Sequence, residues 1–315
     1  MSCQAHAQPL INASLLASWG ARLGLHPIRH WIMAFILLFA SGSAPASAPE
    51  RVVTLAPHIT ELLYAAGAGH TLVGTVISSD YPESVKTLPK VGDGAASINI
   101  ETLISLHPDV VLAWQASGAV AAATPLLKSV DIPITLIAPE RMDDIPDAIE
   151  QLGTLLDTQA AASSRASNIR ETLAALRSQY ARKSPVSVYI EIGAAPLYAV
   201  GRDTLLNDAL STCGGFNIFR DSKLPALPIS PERVLHQRPQ LILIATTNPD
   251  QLNEAQARWG RLGLGPTHTR IYGINPDALF RPGPRLVDAA VAICRYLEKA
   301  RETFGAMDTA TEANL

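Results

Sequence analysis

This 315-residue sequence predicts an α/β fold of two pseudo-symmetric lobes with parallel-rich sheets. One long rigid helix is expected to join them, with a ligand cleft in between. Three observations carry that expectation. From Arg51 onward, short apolar runs alternate with helical stretches, the pattern of parallel βαβ units. The stretch ETLISLHPDVVLAW (101–114) recurs as ERVLHQRPQLILIA (232–245), with Glu101 on Glu232 and Pro108 on Pro239, each pair 131 residues apart. Between the two copies, residues 157–182 contain neither Gly nor Pro.

The first 46 residues hold Arg22 and Arg29 but no acidic residue, then the apolar run WIMAFILLFA and the small residues SGSAPA. That order of basic, apolar and small segments is the pattern of a secretory signal peptide, with cleavage after Ala46. Ten apolar residues are too few to span a bilayer as a helix. Export makes Cys213 and Cys294 an even pair in an oxidising compartment, while Cys3 leaves with the leader. Either they form a disulfide, closing a loop of roughly 80 residues that contributes about 4–5 kcal/mol, or they are two buried thiols.

Residues 50–140 form the expected first lobe. VVTLA (52–56) is its first strand, and an apolar helix containing Glu61, Leu62 and Leu63 follows, stopped at Gly67. TLVGTV, DVVLAW and IPITLIA supply further strands, and IETLISL a short helix. GAGHTLVG reads as a helix cap rather than a dinucleotide fingerprint, because it opens no helix. A connecting segment, 141–184, contains the inter-lobe helix. There Ile169, Leu173, Leu176 and Tyr180 share one face, and Arg165, Arg170, Glu171 and Arg182 lie opposite. The second lobe, 185–305, restarts with VSVYIEI, the Gly-capped helix TLLNDALSTCGG, the second repeat, RIYGI and a last helix from about Pro284. Residues 306–315 are expected to be a flexible tail.

Each repeat is a helix, a Pro-containing turn and a buried strand, so its recurrence implies two lobes of one topology. Ligands of open α/β sheets sit beyond the carboxyl ends of strands, which gives Trp114 a cleft address, and His58 likewise after the first strand. A net charge of −3 without a Lys/Arg run argues against nucleic acid. No GxSxG, HExxH, CxxC or Walker loop occurs, and no metal-ligand spacing. An exported, two-lobed chain with a cleft and no catalytic constellation is the physical plan of a solute-capture protein.

SDYPES, PDVVLAW, CGGFNIFRDS, PERVL and RPGPRL, in that order, resemble the periplasmic cobalamin-binding proteins of ABC importers. These belong to the helical-brace class of siderophore, haem and corrinoid binding proteins, and the resemblance covers residues 51 to about 300. It implies capture of cobalamin or a related corrinoid in the periplasm and delivery to a permease dimer with its ATPase subunits. It implies no catalysis and no cofactor beyond that ligand, and the protein is expected to be a monomer. It pairs Cys213 with Cys294 and makes Glu101 and Glu232 the permease-docking residues. Its ligand contacts fall on Pro57, His58, Ser78, Trp114, Tyr198, Asp277 and Arg281, with Tyr81 and Phe280 as further aromatics. Ser78, Ala226 and a position near Ala95 depart from the family, which has aromatic residues there. The alternative within the class is a haem or iron-siderophore binder, with His58 or Tyr81 on the iron. An enzyme built on the same fold is the third reading.

Overall fold

The computed structural model describes residues 47–115, 118–266 and 268–312. The expected leader, 1–46, lies outside the described residues. Strand β1 (Val52–Thr54) is wholly buried and runs into helix α1 (Pro57–Ala65), which Pro57 starts at its first turn. Helix α1 ends at Gly67, whose φ of +82° lets Ala68 N–H reach the Leu63 carbonyl at 3.1 Å. The GAGHTLVG glycine is thus a helix cap. Strands β2 (Leu72–Gly74), β3 (Val110–Ala113) and β4 (Ile134–Leu136) complete an all-parallel sheet in the order β2-β1-β3-β4. Helix α2 (Ile100–Ser105) precedes β3, and α3 (Gly118–Ser129) follows it.

The chain then forms two helices, α4 (Asp144–Leu155) and α5 (Gln159–Tyr180). The 22-residue α5 is the long helix expected from the sequence, but it does not brace the lobes alone. It packs along α4, where a Cβ on Gly153 would collide with Ala162. Arg170 bonds Asp147 and Glu150, and Arg177 bonds Asp143. Such exposed pairs add little stability, so the buried Ala162, Ile169 and Leu173 hold the helix in place.

In the second lobe β5 (Val186–Ala194) pairs in parallel with β7 (Gly215–Asn217) on one edge and β9 (Leu241–Ala245) on the other. Strand β10 (Arg270–Ile274) pairs in parallel with β9. The path β7-β5-β9-β10 therefore repeats β2-β1-β3-β4 of the first lobe. Helices α6 (Thr204–Ser211), α7 (Pro231–Gln237) and α8 (Pro249–Arg261) take the places of α1, α2 and α3. One addition breaks the likeness: β6 (Leu197–Val200) and β8 (Ala226–Pro228) extend the far end of β5 as antiparallel strands.

Helix α9 (Pro276–Phe280) leads into α10 (Pro284–Glu312). The latter runs past residue 306, where the sequence led us to expect a tail. A single apolar core includes Val52 and Leu112 of the first sheet, Ile149 of α4, Leu173 of α5, Leu241 of the second sheet and Leu286 of α10. The lobes share that core, which favours small tilts over wide hinge motion. Cys213 and Cys294 form a disulfide with Cα atoms 5.3 Å apart, fixing the end of α6 to α10.

Candidate functional site

Two cavities open at the junction of the lobes. The larger, about 420 Å³, lies between Trp114, Pro139 and Glu140 on one side and Arg202, Asp203, Pro225 and Phe280 on the other. The smaller, about 260 Å³, is lined by Pro57, His58, Ser78, Asp93, Ala95, Trp114, Phe280 and Arg281, among others. Trp114 and Phe280 line both, so the two cavities adjoin in one inter-lobe groove. Trp114 follows β3 directly and stays 38% exposed.

His58 is buried behind it, its ring edge-to-face with Trp114 at 4.9 Å. Burial, reinforced by the positive charge of Arg281, pushes its imidazole down to about 3. The ring is therefore neutral, and its Nε2 has no hydrogen-bond partner among the described residues.

Arg281 is held on every side. Its guanidinium bonds Asp80 at 2.6 Å and Asp277 at 2.7 Å, reaches Glu61 at 3.4 Å, and donates to the Ser78 carbonyl at 3.3 Å. Arg285 bonds the same Glu61 at 2.5 and 2.9 Å, and lies 4.7 Å over the Tyr81 ring. Glu61, on α1, has a side chain only 2% exposed, and two arginines pair with it there. For Asp80, burial works against the charged form, but Arg281 outweighs it and holds the carboxyl below the usual range. These five groups stitch the first lobe to the α9–α10 corner of the second, at the floor of the groove.

The structure thus brings together Pro57, His58, Ser78, Trp114, Phe280 and Arg281. Three others lie outside the linings of both cavities. Tyr81 lines neither cavity, because its ring stacks beneath Arg285 and is half exposed. Asp277 pairs with Arg281 at 2.7 Å and is not among the lining residues. Tyr198 sits on β6, part of the antiparallel addition, and also lines neither cavity.

Matching against protein-family models pairs residues 52–258 with the family described as Periplasmic binding protein. The chain belongs to that family. This periplasmic binding protein is 35% identical over 275 residues to the vitamin B12-binding protein of Yersinia pseudotuberculosis serotype O:3, covering 87% of this chain and 95% of the relative. It is similar to the crystal structure of the periplasmic vitamin B12 binding protein of Vibrio cholerae, with a TM-score of 0.72, 32% identity, and 81% and 98% of the two chains covered. A periplasmic haem binding protein of Vibrio cholerae shares the fold, with a TM-score of 0.69 at 23% identity over 78% of this chain and 98% of that one.

On the outer side of the periplasmic binding protein, Glu101 and Glu232 hold equivalent places, each the second residue of its helix, α2 or α7, and each exposed. The Ser230 hydroxyl and a backbone N–H hold the Glu232 carboxyl below its usual range. Sequence reasoning missed several groove residues. Asp93 accepts from the N–H groups of Ala95, Ala96 and Ser97 at 2.7–3.0 Å, which presents Gly94 and Ala95 to the smaller cavity. The Asp-Gly pair was a readable turn signal. Arg202 and Asp203 were equally visible as a charged pair before α6, where Asp203 caps Leu206 N–H at 2.8 Å. Among the described residues, no group of three or more His, Cys, Asp or Glu is placed to hold a metal ion.

Proposed function

We propose that this protein captures a corrinoid, cobalamin or a close relative, in the periplasm and hands it to an ABC importer. The observation that carries the proposal is the inter-lobe groove with Trp114 and Phe280 at its centre. Flat aromatic faces suit the face or edge of a macrocycle, and a groove shared by two cavities suits a bulky cargo. Similarity to vitamin B12-binding proteins over most of the chain supports the same cargo. No described helix is long and apolar enough to cross a membrane, which is compatible with a mature periplasmic form.

Glu101 and Glu232, matched in place, are the proposed contacts with a permease whose own two halves are matched. Exposed charges of this kind set orientation and encounter rate more than affinity. Release then requires docking to loosen the groove, at the cost of the ion network around Glu61. The chain works by binding and delivery rather than turnover.

Calorimetric titration of the purified mature protein with cobalamin and with haem tests the reading. Saturable cobalamin binding, weakened by about 2 kcal/mol in Trp114→Ala, is the expected result; haem binding with a shifted Soret band and no corrinoid binding would overturn it. The haem alternative draws on His58, whose free Nε2 could reach a metal if Trp114 moved aside.

A further inference from the structure

Among the described residues, two full cations line the groove, Arg281 and Arg202. Arg281 spends its donors on Asp80, Asp277, Glu61 and the Ser78 carbonyl, and its side chain is only 12% exposed. Arg202 differs in every respect. It is exposed on the wall of the larger cavity, and only its backbone N–H is engaged, by the Leu224 carbonyl at 2.9 Å. Its guanidinium has no hydrogen bond or ion pair among the described residues. Asp203 makes no ion pair with it among the described residues; its carboxylate caps Leu206 N–H at 2.8 Å.

A planar guanidinium with five free donors is the side chain best matched to a phosphate diester, which it grips bidentately. Glu140 and Asp203 line the same cavity, so a small free anion gains little there. An anion carried on a large frame is different: the frame fills the apolar wall of Pro139, Pro225 and Phe280, and Glu140 can accept from the frame's amide N–H groups.

We infer that Arg202 is a specificity-determining residue that recognises a phosphodiester on the cargo, so that the groove selects corrinoids carrying a nucleotide loop over those lacking it. This rests on the corrinoid reading above and adds to it the position of the loop, in the larger cavity against Arg202.

The test is calorimetric titration of wild type, Arg202→Gln and Arg202→Lys with cobalamin, which has the phosphodiester, and with dicyanocobinamide, which lacks it. Wild type should bind cobalamin more tightly. Arg202→Gln should lose roughly tenfold to a hundredfold of cobalamin affinity, the range for hydrogen bonds to charged groups, with less than about threefold change for cobinamide. Arg202→Lys, keeping the charge but not the fork, should fall between. Both variants should melt like wild type, because the side chain they alter is exposed and unpaired. Equal losses for the two ligands, or undiminished cobalamin binding in Arg202→Gln, would overturn the inference and leave the corrinoid reading intact. Failure of wild type to bind either corrinoid would overturn that reading and this inference with it.

Discussion

Glu101 and Glu232 sit at the same position of matched helices, each exposed and each followed by a matched turn and strand. Follow those strands to their carboxyl ends and the likeness stops. The first lobe ends in Trp114, against a neutral buried His58 and an open cavity. The second ends in Ala245, beside a cavity of about 330 Å³ where Glu191 pairs with Arg258 and accepts from Trp259 Nε1 at 2.9 Å. The repeat has thus been kept on the outer face and rewritten at the groove. Two matched outer charges fit a two-fold partner, whereas an asymmetric groove fits a cargo that has no two-fold symmetry.

Several experiments break or sharpen that contrast. The disulfide belongs to the second lobe alone, closing a loop across a sequence separation of 81 residues. Replacing Cys213 and Cys294 with alanine should cost about 4–5 kcal/mol in guanidinium unfolding, from loop closure. Glu61→Gln leaves Arg281 and Arg285 without their buried anion and should cost about 3–5 kcal/mol in the same assay. The corresponding loss for Glu191→Gln should be smaller, because its partner Arg258 is more exposed than Arg281. In ligand titration, Trp114→Ala should lose about 2 kcal/mol of binding, as a central aromatic anchor does, while Ala245→Trp should leave affinity nearly unchanged.

Acid gives a graded effect. The folded protein holds His58 neutral down to about 3, whereas the unfolded chain takes up that proton near 6.5. A depressed folded-state value means stability is complete above pH 6.5 and falls as pH drops toward 3, by at most about 1.4 kcal/mol per pH unit. Asp80, also depressed, pushes in the same direction at lower pH. His58→Leu should flatten the loss between pH 6.5 and 4 in thermal melts; an unchanged profile would remove His58 from the account.

Apolar periodicity made the alternating strands and helices readable, and the repeat made the shared topology readable, because both are local patterns along the chain. The β6–β8 addition escaped notice since LYAV and ALP are short, and proline interrupts the second. Helix α4 was hidden in a stretch containing Pro146, and its role beside α5 depends on Gly153, whose importance is visible only when Ala162 is against it. The role of Arg281 depends on Glu61, 220 residues away, and no local pattern encodes such a pair. Hence the ion pairs of Arg281 were not legible beside its expected contact with the ligand, and Arg202 went unremarked.

The division between a matched outer face, proposed for docking, and an unmatched groove is tested most directly by one paired measurement on the double variant Glu101→Lys, Glu232→Lys. Corrinoid affinity by calorimetry and corrinoid uptake by cells carrying the variant should be determined together. Affinity within about twofold of wild type with uptake abolished is the predicted result. Weakened binding, or uptake that persists, would contradict the account.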